Sequence, residues 1–424
     1  MIECVLKDLI DFSRDGEWGK SEKFDRCIPM AVIRGTDFDK VRDGDITTVP
    51  IRYIAAKQAE YKQLHGGEIL IECAGGSRGQ ITGRTIFLKP EMVVSFGIPV
   101  TCASFSRFIR FRESDIFDPK YIFWHLQYLY ESGHLDQYHT QHTGVSRFQW
   151  STFAENEVLT LPPLPTQKKI ASILSAYDDL IENNLKRIKI LEEMAQRLYR
   201  EWFVHFRFPG HENVKMVDSP LGPIPEGWEV VELKDIACVN GLSLSAKDTP
   251  DIINYIDISS VSTGIINKIE PISYEAAPGR ARRIVRHGDI IWSSVRPNRK
   301  SYALILFPEN YIIASTGFAV LSPEKTPYTY LYCVVTTEDF TAYLTSNTTG
   351  AAYPAVNAKT FEKAQILLPD LATMQFFHDL TEPPLLLKQN YLNRNDILRQ
   401  TRDFLLPKLI SGEVDVEGLE IQDA

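Results

Sequence analysis

Two passages of this chain carry the same signals in the same order, and a chain that repeats itself over such a distance has few architectures open to it. Residues 153 to 169, FAENEVLTLPPLPTQKK, share with residues 361 to 377, FEKAQILLPDLATMQFF, a leading Phe, an apolar run, a proline and a glutamine. Each passage hands over to a heptad pattern. Leu174, Tyr177, Ile181, Asn184, Ile188, Leu191, Ala195, Leu198 and Trp202 alternate by threes and fours, the signature of a helix with one buried seam. Pro162, Pro163 and Pro165 lack the amide donor that a helix interior requires, so Thr166 is the expected N-cap. From there to Phe203 the helix would extend about 57 Å at 1.5 Å per residue. Glu182 with Lys186 and Glu193 with Arg197 support its outer face, and Pro209 and Gly210 close it. The second pattern, residues 385 to 412, places Asn390 where Asn184 falls, and Pro383 and Pro384 put its predicted start near Leu385.

The repetition extends upstream. AVIRGTDF (31 to 38) resembles NYIDISSV (254 to 261), HGGEILIE (65 to 72) resembles RHGDIIWS (286 to 293), and TGVSRF (143 to 148) resembles TGAAYP (349 to 354). A tandem duplication of a unit of roughly two hundred residues follows, each copy β-rich and ending in a long helix. Two such helices bury their seams most simply by packing antiparallel. The expected fold class is α+β: two mixed α/β-rich domains in tandem, separated and joined by two long antiparallel coiled-coil helices, pseudo-twofold symmetric. Leu174, Ile181, Ile188, Leu191 and Leu198 on the first helix, and Leu387, Tyr391, Leu398 and Leu405 on the second, are the expected contact. The predicted boundaries are 1–160 and 209–370 for the domains, 161–208 and 371–412 for the helices, and 413–424 for an acidic tail.

Hydrophobic residues at 44% and charged residues at 24% are those of a folded soluble protein. Without eighteen consecutive apolar residues or a basic, apolar leader, the chain is expected to be cytoplasmic and free of membranes. Six cysteines lie far apart with no CxxC pair, which suggests reduced thiols rather than a disulfide or zinc framework.

Catalytic signatures are sparse. GGSRGQITGR (75 to 84) has neither GxxxxGK[ST] nor GxGxxG spacing, so its amides are not set to converge on phosphate. DFDKVRDGDI (37 to 46) fails as a calcium loop, because Val41 and Pro50 fall where oxygen ligands are needed. His134, His139 and His142 are the densest histidine group but lack a fourth ligand at suitable spacing, and a polar helix end explains them better. Neither a Pro-Pro-Tyr nor a Pro-Pro-Phe methyltransferase motif occurs. No metal site and no catalytic residue is expected in this chain.

Charge is more informative. The net charge of -9 conceals a run from Arg280 to Lys300 in which seven Lys or Arg face one acid, Asp289. The corresponding stretch of the first copy, Gly75 to Arg112, has Arg78, Arg84, Lys89, Arg107, Arg110 and Arg112 against Glu91. A charge run is usually a solvated face, but recurrence at matching places in both copies favours contact with double-stranded DNA. Arg78, Gln80, Thr82 and Arg84, and Arg296, Asn298, Arg299 and Lys300, combine phosphate-seeking charge with side chains able to read base edges. Thr143, Ser146, Arg147 and Gln149, with Thr349, Tyr353 and Asn357, join them from the TG loops, where simple packing turns are nearly as good an explanation.

LTLPPLPTQKKIASILSAYDDLIENN, EEMAQRLYREWFVHF, PIPEGWEVVELKDIA and LLPKLISGEVDV together resemble the conserved regions of the specificity subunit of type I restriction-modification systems. The first copy departs from the pattern by opening on MIECVLKDLIDF without a PEGWE segment. The resemblance implies two target recognition domains, each reading one half of a split DNA site, and a helical spacer that docks partners. Those partners would be two methyltransferase (modification) subunits using S-adenosylmethionine to methylate adenine at N6, and two motor-nuclease (restriction) subunits using ATP and Mg2+. This chain would hold no cofactor and perform no catalysis. Because AGGSRGQITGR faces SSVRPNRKSYA, the two half-sites should differ, with Arg78→Ala expected to affect one half and Arg299→Ala the other. A stand-alone regulator with duplicated DNA-binding domains, or a coiled-coil scaffold, are the competing readings.

Overall fold

The structure is a computed structural model and describes residues 1–75, 81–142, 145–245, 250–350 and 353–419. The chain divides into two compact units: residues 1–186 with 393–424, and residues 187–392. Each is built on the same plan. In the first, one sheet runs Ile10–Asp15, Ser106–Phe111, Ile69–Glu72, Thr85–Phe87, with every neighbour antiparallel. In the second, Ala237–Val239, Phe318–Pro323, Ile290–Ser293 and Tyr302–Leu304 follow in the same order and sense. A second sheet in each unit joins one antiparallel and one parallel neighbour to a central strand. That strand is Cys27–Ile33 between Ile51–Ala55 and Val100–Cys102, or Ile252–Ile256 between Glu270–Ser273 and Ile312–Ser315.

The matched segments have a common physical cause. The strands Ile69–Glu72 and Ile290–Ser293 are fully buried, which explains their continuous apolar runs. Each is entered through a turn in which a buried carboxylate accepts the backbone N–H three residues earlier, Glu68 from His65 at 2.9 Å and Asp289 from Arg286 at 2.7 Å. The glycine in between adopts φ of +88° at Gly67 and +85° at Gly288, a conformation any Cβ would strain. Likewise, Val158–Leu161 and Gln365–Leu368, the apolar runs before each proline, pair antiparallel with Ile2–Val5 and Glu229–Glu232.

Two long helices follow, Leu164–Tyr199 and Leu371–Ile410. The first continues as a π-turn over Arg200–Val204. It starts before Thr166, not after it: Pro165 sits in the first turn, where its missing donor is not needed, and Gln167 N–H already bonds Pro163 O at 3.0 Å. Pro383 and Pro384 do not delay the second helix to Leu385. The carbonyls they leave without donors belong to Asp379 and Leu380, both exposed and so open to solvent, while Phe377, Thr381 and Leu385 hold the helix by its buried face.

The seam also differs from expectation on the second helix. Leu387 is 44% exposed and Tyr391, Leu398 and Leu405 are half-buried, as are Leu191 and Leu198 on the first, whereas Leu174, Ile181 and Ile188 are buried. The repeat runs through Gln167, Ile170, Leu174, Ile181 and Ile188, which correspond, each 207 positions on, to Met374, Phe377, Thr381, Lys388 and Asn395, all buried. Polar side chains hold the seam of the second helix, so an apolar pattern places it one residue away. Asn184 therefore meets Asn395, 2.8 Å from its amide, and Asn390 is exposed.

Within the first unit Asn184 pairs with Asn395 and Asp178 with Arg402, so the helix segments run antiparallel. Within the second, Arg187 donates to the Tyr391 hydroxyl at 3.1 Å and Glu192 pairs with Lys388, again antiparallel. Leu406, Leu409 and Val416 enter the core of the first unit beside Leu6, Trp124 and Phe153. Phe377 and Leu385 enter that of the second beside Trp228, Trp292 and Tyr330.

Candidate nucleic-acid interface

In each unit the segment that leaves the buried strand is bonded to the TG loop. Phe148 N–H donates to Cys73 O at 2.9 Å in the first unit, and Val356 N–H donates to Ser294 O at 2.9 Å in the second. Arg147 and Ser146 then pair with Ala74 and Gly75, as Ala355 bridges Val295 and Arg296 N–H donates to Pro354 O at 2.7 Å. The frame is the same and its side chains differ. Gly75, at φ +130°, occupies the place that Arg296, at φ +50°, takes in the second unit.

The tip of the second unit is well supported. Pro297–Arg299 form one turn of 3-10 helix in which Pro297 is buried, and Lys300 pairs with Glu338 at the start of the helix Glu338–Ser346. Arg296 lies over the ring of Tyr353, 5.0 Å from its centre, and Tyr353 is 70% exposed. Asn298 and Arg299 are exposed beside them.

A model of the type I restriction modification DNA specificity domain matches residues 6–193 and again 225–377. The chain belongs to that family. Among its relatives, the type I restriction enzyme MjaIX specificity subunit of Methanocaldococcus jannaschii is 28% identical over 305 residues, covering 70% of each chain. The MjaVIII specificity subunit of the same organism is 25% identical over 328 residues, covering 73% of each. The crystal structure of a type I S subunit from M. genitalium shares the fold, with a TM-score of 0.54 at 16% identity over 96% of this chain and 95% of that one.

In this specificity-family chain most of the basic runs seen in the sequence are paired internally. Arg84 donates to the buried Glu72 at 2.9 Å and to Gly35 O at 2.7 Å, and its side chain is 16% exposed, so it is part of the frame and not free for DNA. Thr82 is fully buried. Lys89 pairs with Asp179 and Glu182, Arg107 with Asp15 and Arg110 with Glu68. In the second unit Arg280 pairs with Asp257. Burial opposes the Asp257 charge, but hydrogen bonds from Ser259, Tyr255 and Arg280 outweigh it and hold the carboxyl down to about 2.

Lys300 pairs with Glu338, and the Asn357 side-chain oxygen caps the helix Ala358–Glu362 by accepting Thr360 N–H at 3.1 Å. Thr349 lies in the tip, its backbone paired with Ala355. Ser146 is half-buried in the first frame, while Arg147 and Gln149 are exposed near it. Arg78, Gln80 and Thr143 lie outside the described residues. His134 bonds Glu157 at 2.9 Å and His139 bonds Leu135 O and Thr82 O at 2.8 Å each, which are ordinary structural roles. Sequence reasoning missed Glu72 and Glu338, whose roles depend on distant partners. No helix among the described residues is long and apolar enough to cross a membrane.

Proposed function

We propose that the chain is the DNA-recognition subunit of a type I restriction-modification enzyme, with one target recognition domain in each copy reading one half of a bipartite, asymmetric site. One observation carries this reading: two matching frames, each covered by the specificity-domain family, present different side chains at equivalent tips. Equal frames fit equivalent docking on a duplex, and unequal tips fit different bases. In this reading residues 1–160 and 209–370 are the recognition domains. The helical regions 161–208 and 371–412 form an antiparallel coiled-coil spacer relating them by a pseudo-twofold axis, ahead of the acidic tail 413–424.

The chain itself is non-catalytic. Two methyltransferase subunits would bring S-adenosylmethionine and two motor-nuclease subunits ATP and Mg2+, in the cytoplasm and away from membranes. A stand-alone regulator finds no support in the relatives, which are specificity subunits of restriction enzymes. The test is to map adenine methylation in cells carrying this chain with its partner subunits. The expected result is a bipartite, non-palindromic motif with a fixed gap that disappears on deleting this gene. Absence of such a motif beside an active methyltransferase overturns the reading.

A further inference from the structure

The tip of the second unit carries a side-chain arrangement that has no counterpart among the described residues of the first. Arg296 adopts φ 50° and ψ 60°, a left-handed backbone that is strained in a residue with a Cβ and persists only where its surroundings over-determine it. Here they do. Its N–H donates to Pro354 O at 2.7 Å, its carbonyl accepts Arg299 N–H at 2.9 Å, and Ser294 O, two residues before it, accepts Val356 N–H at 2.9 Å. Buried Pro297 and the Lys300–Glu338 pair anchor the turn that follows. From this clamped backbone the guanidinium reaches over the exposed Tyr353 ring, and its N–H groups have no hydrogen-bond partner among the described residues.

An aromatic face holds a guanidinium without consuming its donors. A positioned fork with free N–H groups matches the two acceptors, O6 and N7, that guanine presents in the major groove. We propose, resting on the DNA-specificity reading above, that Arg296 reads a guanine in the half-site of the second unit, and that Tyr353 is the positioning residue that aims it. Arg299, exposed and without a side-chain partner among the described residues, contacts phosphate instead. Lys300, paired to Glu338, does neither. In the first unit the equivalent position is Gly75, with no side chain to offer, so that half-site is read by other means.

The test uses the chain assembled with its modification subunits. Methylation mapping and binding to duplexes carrying each base in turn are expected to show that R296A loses roughly 10- to 100-fold of discrimination at one G·C pair, in one half only. R296K keeps the charge without the fork and loses the same discrimination. Replacing that guanine by 7-deazaguanine, which lacks the N7 acceptor, weakens the unsubstituted complex and leaves R296K no weaker. Y353A lowers discrimination at the same pair and Y353F, which keeps the ring, restores it. R299A weakens all sequences alike and lowers the salt slope by about 0.9.

Unchanged discrimination in R296A and R296K, or a uniform loss across all sequences, overturns the proposal while bipartite recognition stands. So does a half-site whose guanines all tolerate 7-deazaguanine, a result needing no substituted protein. If the unsubstituted complex shows no bipartite motif, it is the functional reading that fails.

Discussion

At the scale of single residues, charge type alone does not tell a DNA contact from a structural brace. Arg84 and Arg296 look equivalent in the sequence, yet the first is locked to Glu72, whose side chain is 5% exposed, and the second is stacked on an exposed ring. Arg84→Ala leaves a buried carboxylate without its partner and is expected to destabilise the first unit by about 3 to 5 kcal/mol in urea unfolding. The methylated sequence in cells should stay the same; a changed target would restore Arg84 to the interface. His125 offers a pH signature. Burial, with His134 acting in the same direction, pushes its imidazole from the ordinary 6.5 down to about 4. Between those values the unfolded chain takes up a proton that the folded chain refuses. Stability present above the ordinary value is therefore lost as pH falls through this window and levels off below it. H125Q should flatten that part of the profile of urea midpoints, and an unaltered slope would show that other groups control it.

At the scale of elements, the second long helix carries Thr381, Lys388, Asn395 and Arg402 at one heptad position, where the first carries Leu174, Ile181, Ile188 and Ala195. Each polar member finds a partner in its own unit: Thr381 the Phe377 carbonyl, Lys388 Glu192 and Gly264 O, Asn395 Asn184, and Arg402 Asp178. Buried polar pairs of this kind select a register at some cost in stability. N184A should cost about 1 to 3 kcal/mol by leaving the buried Asn395 side-chain oxygen without its donor. Replacing both asparagines by leucine should recover most of that loss, a coupling that a double-mutant cycle in urea measures. Pro383 is expected to be a liability retained in mid-helix: P383A should raise the unfolding free energy by about 1 to 3 kcal/mol. A loss of stability on that change would mean the helix needs the local geometry proline imposes.

At the scale of the molecule, the second compact unit is one continuous stretch of chain, whereas the first is assembled from two. The first needs residues 393–424 as well as 1–186, because Leu406, Leu409 and Val416 complete its core. Ending the chain after Leu392 is expected to leave the second unit resistant to limited proteolysis and the first sensitive. The milder L406A and L409A substitutions should each cost about 2 to 5 kcal/mol in the first unit's transition. Equal protease resistance of both units in the shortened chain would show that the first closes its core without the C-terminal helix.

The duplication and the long helices were legible in the sequence because they show as recurrence and heptad spacing along the chain, and the segments before each buried strand were legible as a repeat; their shared turn, with a glycine at positive φ and a carboxylate three residues from the amide it caps, came from the structure. HGGE and RHGD form the same turn for that reason, whereas the segments after the two TG pairs attach to the same edge two residues out of the sequence match, Phe148 standing where Val356 does and not Pro354. What the sequence could not determine was which cations remain free. Glu72 stands twelve residues from Arg84 and Glu338 thirty-eight from Lys300, and only the folded chain brings each pair within bonding distance. The seam of the second helix eluded apolar patterning because its buried positions are polar, and a buried polar side chain is recognisable only by the partner that the tertiary structure supplies. By itself, the sequence determined the repeated frame. Tertiary structure decided what each copy of that frame exposes, since exposure is set by contacts between residues far apart in the chain.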